Sequence, residues 1–175
     1  MKKVLVVVDM QKDFVDGSLG TKEAVAIVDA VVEKVKNFDG EVIFTRDTHF
    51  DNYMSTQEGE HLPVVHCVKD TEGWELIPAL ESIRKEKNCR CFDKPTFGST
   101  ELAEALKKEY EAGELESIEL IGICTDICVV SNGLLIKAYM TELPVSVDSA
   151  CCAGVTPEKH EAALETMRSC QIHVK

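Results

Sequence analysis

A chain of 175 residues is long enough for one domain with a sizeable core, and 45% apolar with 29% charged residues places it among ordinary globular proteins. Acidic residues outnumber basic ones 31 to 19, giving a formal net charge of -12. That balance argues against nucleic acid, whose affinity comes from Lys and Arg neutralising phosphates. The apolar run in "MKKVLVVVDM" is shorter than a signal-peptide core and far shorter than the roughly 20 residues that span a bilayer. The expectation is a cytoplasmic protein that does not engage the membrane, in which eight cysteines are free, buried, catalytic or metal-bound rather than paired. Cys89 and Cys91, like the adjacent Cys151 and Cys152, lack the spacing of a zinc knuckle.

In chain order, "KVLVVVD" is a β-branched, nearly all-apolar run of the kind buried on both faces of a parallel sheet. From Thr21 to Phe38 the residues Val25, Val28, Val32 and Val35 recur at helical spacing, and after Gly40 comes a second strand, "EVIFTR". This predicts a βαβ unit. Residues 46–74 have no sustained period, are about twice the ~12–15 residues beyond which connections are usually functional or disordered, and hold three of the five histidines. A strand near "RCFDK", a helix from about Ser99 to Tyr110 and a strand "SIELIGI" follow. After them come a helix from about Asp126 to Thr141, a strand "PVSVDS" and a last helix opened by Thr156 and Pro157, before a closing "QIHVK". Strands alternating with helices predict a single α/β domain over residues 1–175, a three-layer αβα sandwich with a mostly parallel, doubly wound sheet.

The chemistry-bearing residues gather at predicted strand ends, where open α/β sheets collect ligands. Asp9 closes the first strand and Lys94 a later one. A charge placed directly after a buried strand is costly unless paired or functional. Cys128 falls on the predicted first turn of a helix, where a nearby cation can lower a thiol pKa from about 8.5 into the ~3.5–7.5 range, whereas Cys124 lies at the strand end. On position alone Cys128 could equally be a small buried hydrophobe. An Asp, a Lys and a Cys at neighbouring strand ends can form a base, a cation and a nucleophile. In the 46–74 segment, Asp47 and His49 with Glu58, Glu60, His61 and His66 offer the mixed oxygen and imidazole ligands suited to zinc, iron or manganese.

Five stretches in this order, "DMQKDF" at 9–14, "RDTH" at 46–49, "LPVVHC" at 62–67, "KPTFGST" at 94–100 and "GICTDICV" at 122–129, resemble the isochorismatase-like cysteine hydrolases, nicotinamidase-like subgroup. The resemblance implies a catalytic triad of Asp9, Lys94 and Cys128. It also implies a cis peptide at Ile123–Cys124, with the backbone N–H groups of Cys124 and Cys128 as an oxyanion hole. One divalent ion (zinc, iron or manganese) would be held by Asp47, His49 and His66, with Glu58 as a fourth ligand. Phe14 would be a ring-stacking wall, and Leu62 stands where the subgroup often has an aromatic residue. The implied activity is metal-assisted hydrolysis of nicotinamide to nicotinate and ammonia through a thioester in NAD salvage, by a homo-oligomer whose partner is a small amide. The alternatives are a metal-independent amidase or an isochorismatase-type hydrolase of the same family and, from another class, a receiver-like phosphoacceptor domain. A carboxylate-rich substrate would want arginine near the pocket, and the chain has only Arg46, Arg84, Arg90 and Arg168.

Overall fold

The computed structural model describes all residues, 1–175. Six strands, β1 (Lys2–Val8), β2 (Glu41–Asp47), β3 (Cys91–Lys94), β4 (Leu115–Ile123), β5 (Val145–Ala153) and β6 (His173–Val174), form one sheet in the order β3-β2-β1-β4-β5-β6. Every pairing is parallel. The central β1 is buried from Val4 to Val8, and its alternation divides two cores. Val4, Val6 and Val8 face α6 (Thr100–Glu111), α7 (Val130–Tyr139) and α8 (Pro157–Ser169) through Leu106, Ile136 and Met167. Leu5 and Val7 face α3 (Val28–Asn37) and α5 (Pro78–Glu86) through Val31, Val35, Leu80 and Ile83. The three-layer αβα architecture follows from that two-sided burial. No helix is long and apolar enough to cross a membrane.

Three features differ from the sequence reading. The helix predicted over Thr21–Phe38 is broken at Ile27 into α2 (Lys22–Ala26) and α3, so Val25 is 53% exposed and Val31 takes the core position. The Thr21 hydroxyl caps α2 by accepting from the Ala24 N–H at 3.0 Å, and Thr21 and Ala24 line a cavity wall. The helix predicted from Asp126 begins as a wide turn at Thr125–Val129, and the regular α7 starts only at Val130. The sequence reading had also passed over α5, which starts with Pro78 in its first turn and buries Leu80 and Ile83. The long 46–74 connection holds α4 (Gln57–His61) and two short 3₁₀ turns, Tyr53–Ser55 and Glu72–Trp74, while α1 (Lys12–Val15) follows β1.

The strand order reverses between β1 and β4, which places a crevice at their carboxyl ends. Their close approach depends on Gly122, whose φ of +117° is unsuited to an L side chain and whose added Cβ would lie 2.1 Å from the Val8 carbonyl oxygen. Gly122→Ala is therefore expected to destabilise the fold by more than ~2 kcal/mol, read as a lower denaturant midpoint. An unchanged midpoint would mean that β1 and β4 can separate without loss.

Candidate active site

Asp9, Asp47, Lys94 and the Cys124–Cys128 segment all emerge at that crevice because each ends or directly follows one of four adjacent strands, β1, β2, β3 and β4. Asp9 and Lys94 are fully buried. The Lys94 ammonium is ion-paired with Asp9 Oδ2 at 2.7 Å and donates to Cys128 Sγ at 3.3 Å and to the Thr96 carbonyl at 3.1 Å. The Thr45 hydroxyl donates to the other Asp9 oxygen at 2.6 Å. The three residues singled out at strand ends thus meet around one nitrogen. The Ile123–Cys124 peptide is cis, and Cys128 sits within the wide turn that follows.

A second cluster adjoins the first. Asp47, His49, Glu58 and His66 bring their ligand atoms within 4.8 Å of one another. His49 Nε2 lies 2.9 Å from Asp47 Oδ2 and 3.5 Å from Glu58 Oε1, and His66 Nε2 lies 3.6 and 3.8 Å from the same two atoms. Donors bound at ~2.0–2.2 Å around one tetrahedral ion sit roughly 3.3–3.6 Å apart, so the cluster fits a single zinc-like ion with little rearrangement. The His66 Nδ1 is paired with the Val64 carbonyl at 2.7 Å, which leaves Nε2 facing the cluster. Two imidazoles and two carboxylates suit zinc, iron or manganese. Lys94 joins the clusters, 3.6 Å from Asp47 Oδ1.

The isochorismatase-domain family model matches residues 3–174. The chain belongs to the isochorismatase family. It is 32% identical, over 94% of its length and 93% of the other's, to an uncharacterized isochorismatase family protein PncA of Bacillus subtilis. Among solved structures it is similar to a nicotinamidase/pyrazinamidase PncA from Bacillus subtilis, with a TM-score of 0.83 and 27% identity over 99% of both chains. It is also similar to a pyrazinamidase of Pyrococcus horikoshii in complex with zinc, with a TM-score of 0.82 and 26% identity over 100% and 99% of the two chains. A family match over almost the whole length sets aside the receiver-like reading.

Within this isochorismatase-family site, burial governs the ionisation. Burial and the neighbouring Asp9 carboxylate push the Cys128 thiol well above its ordinary value, against the pull of Lys94. This corrects the expectation of a thiol depressed by its helix position: the turn is buried, and desolvation outweighs the single cation. Burial likewise raises the Asp9 carboxyl despite Lys94. Burial acts against both Lys94 and Asp47, yet the surrounding acids hold Lys94 well above its ordinary value, and the neighbouring imidazoles and Lys94 hold the Asp47 carboxyl well below its own. The Lys94 ammonium, 2.7 Å from Asp9 Oδ2 and 3.3 Å from Cys128 Sγ, can balance one negative charge on either the carboxylate or the sulfur. Passing the thiol proton to Asp9 yields a thiolate–ammonium pair and a neutral acid, with no change in net buried charge.

Phe14, Leu62, His66, Phe97, Cys124 and Cys128 line one cavity of about 290 Å³, together with Asp47 and Glu58. The two predicted substrate walls, Phe14 and Leu62, are thus on it, and the Phe14 ring is tilted against His66 at 5.4 Å. No arginine lines it, and Lys159 is its one cation. A second, more polar cleft of about 640 Å³ is lined by His49 and Glu58.

The sequence reading passed over Phe97, Lys159 and two residues of its own first motif. Gln11, fully buried, accepts from the Asp47 N–H at 2.7 Å and donates to the carbonyls of Asp47 at 2.8 Å and Trp74 at 2.9 Å, which pins the start and end of the 46–74 loop. Asp13 Oδ2 accepts from the Cys67 N–H at 2.8 Å. A Gln two residues after a buried strand was the available signal, because an amide there must find partners.

Proposed function

We propose that the chain is a metal-assisted cysteine amidohydrolase that converts nicotinamide and water to nicotinate and ammonia. The observation that carries the reading is the Lys94 ammonium, within 2.7 Å of Asp9 and 3.3 Å of Cys128, with the Cys128 side chain lining a small cavity that the Asp47, His66 and Glu58 donors also line. A cavity of about 290 Å³ is at the lower end of ligand pockets and suits a single-ring amide.

In this mechanism Asp9 takes the Cys128 proton as Sγ bonds to the amide carbon. The backbone N–H groups of Cys124 and Cys128 receive the developing oxyanion, a contribution of about 2.7–4 kcal/mol per donor in comparable sites. The Cys124 N–H has no backbone acceptor within the fold. As the C–N bond breaks, Asp9 returns the proton to the departing nitrogen, which leaves as ammonia and a thioester on Cys128. Water then loses a proton to Asp9 and attacks the thioester carbon, and the C–S bond breaks. The product acid departs and ionises to nicotinate, losing its proton to water or ammonia, and the proton held by Asp9 goes back to sulfur. Lys94 remains protonated throughout and keeps both Asp9 and Cys128 in register. Asp47, His49 and His66, with Glu58, would hold the divalent ion, which when bound supplies a Lewis-acidic acceptor for a ring-nitrogen lone pair. Phe14 and Leu62 would confine the ring so that the carboxamide meets Cys128. A cytoplasmic homo-oligomer belongs to the same proposal.

The purified chain incubated with nicotinamide is expected to release ammonia and nicotinate in equal amounts, and a chelator entering by the polar cleft is expected to stop turnover. His49→Ala should lose the ion, about one per chain in the wild type, together with nicotinamide binding. Undiminished turnover without metal would favour a metal-independent amidase. Ammonia from other amides but not from nicotinamide would reassign the substrate while keeping the triad.

A further inference from the structure

Asn132 takes no part in the chemistry above, yet it is 1% exposed and uses most of its hydrogen-bonding capacity on the backbone of the site. Its Nδ2 donates to the Cys128 carbonyl at 2.8 Å and to the Phe97 carbonyl at 3.2 Å, and its Oδ1 accepts from the Ser99 N–H at 2.9 Å. One amide thus ties the turn that carries the nucleophile to the loop that follows Lys94. That loop is packed closely on α7: a Cβ added at Gly98 would lie 3.1 Å from the Ser131 carbonyl oxygen. It is also braced internally, the Thr96 hydroxyl donating to the Gly98 carbonyl at 2.6 Å. The same loop supplies the Thr96 carbonyl, one of the three acceptors around the Lys94 ammonium, and Phe97, a cavity wall.

We infer that Asn132 is a positioning residue for catalysis, clamping the Pro95–Ser99 loop to the Cys128 turn so that Lys94 stays directed at the Cys128 sulfur. The inference rests on the proposed triad. A buried amide bonded to three backbone groups from two segments fixes their separation in a way that packing of apolar groups does not, because each bond has a preferred length and direction. Without the clamp the loop can drift from the turn, and a misplacement of about 1 Å at a reacting group can cost on the order of 10²-fold in rate.

The test uses Asn132→Leu, similar in size and unable to hydrogen-bond, in the full chain. The expected result is a kcat on nicotinamide reduced about 10²-fold with KM changed by less than about threefold, since the clamp acts on the reacting groups and not on ring binding. Iodoacetamide, which needs no amide turnover, should alkylate Cys128 more slowly in Asn132→Leu than in wild type. In a Lys94→Met background the same substitution should produce little further slowing, because the interaction it maintains is already gone. If Asn132→Leu does not fold, Asn132→Ser, which adds no bulk, is read by the same criteria. Equal slowing in both backgrounds, or none in either, would overturn the inference. A wild type that is alkylated with the expected Lys94 and Asn132 coupling but does not hydrolyse nicotinamide would instead fault the substrate assignment.

Discussion

Cys128→Ala is expected to reduce amide hydrolysis by at least ~10⁴-fold while leaving a folded, metal-loaded protein, since removal of a nucleophile commonly forfeits most of the rate enhancement. The side chain is small and belongs to the larger of the two apolar cores, so its loss should lower stability by only about 1 kcal/mol. Cys124→Ala is the matched control. Its thiol also faces the cavity, and burial pushes it up to about 12, so it is a poor nucleophile near neutral pH. Its proposed contribution is a backbone N–H, which alanine retains, and activity should stay within about tenfold of wild type. Ammonia release from the two purified variants distinguishes them. An active Cys128→Ala beside an inactive Cys124→Ala would reassign the nucleophile.

Lys94→Met is expected to slow thioester formation by about 10³-fold, in the range typical of lost acid–base function. In the wild type, moving the thiol proton to Asp9 leaves the buried cluster with the same net charge. Without Lys94 the first ionisation of either group puts one uncompensated negative charge into a site that burial already makes unfavourable for anions. Asp9 then holds its proton and cannot serve as a base. This uptake also spares the fold the 3–5 kcal/mol that a stranded buried charge can cost. The sign of the pH effect follows. Lys94 is the one neighbour that lowers the thiol, so its removal must move the half-point of Cys128 alkylation to higher pH than in wild type. Lys94→Arg keeps the charge in a planar fork and should rescue only in part, because the ammonium serves three acceptors from one nitrogen. Superimposable alkylation curves for wild type and Lys94→Met would remove Lys94 from the triad.

Asp9 was visible because a charge directly after an apolar β-branched run has few structural explanations, and Lys94 because it is a charge at the end of a predicted strand. Asp47, His49, Glu58, Glu60, His61 and His66 were visible as metal-type donors crowded into an aperiodic connection, and the family resemblance selected Asp47, His49, Glu58 and His66 among them. The parallel α/β fold was visible because strands buried on both faces and helices buried on one have different periods. Those features are local in the chain, and the sequence determines them by itself.

What only the tertiary structure decided depends on groups far apart in sequence. The break at Ile27 was hidden because Val25 continues the helical period although its segment turns towards the cavity. The ionisation of Cys128 could not be read from its helix-start position, because the outcome is set by burial and by Asp9 from another strand. Gln11 and Asn132 look like ordinary polar residues until their partners, up to 63 and 35 residues away, come into reach. Periodicity reports which face of an element is buried. How deeply a charge is desolvated, and which distant backbone group an amide meets, is settled only when the strands are brought side by side.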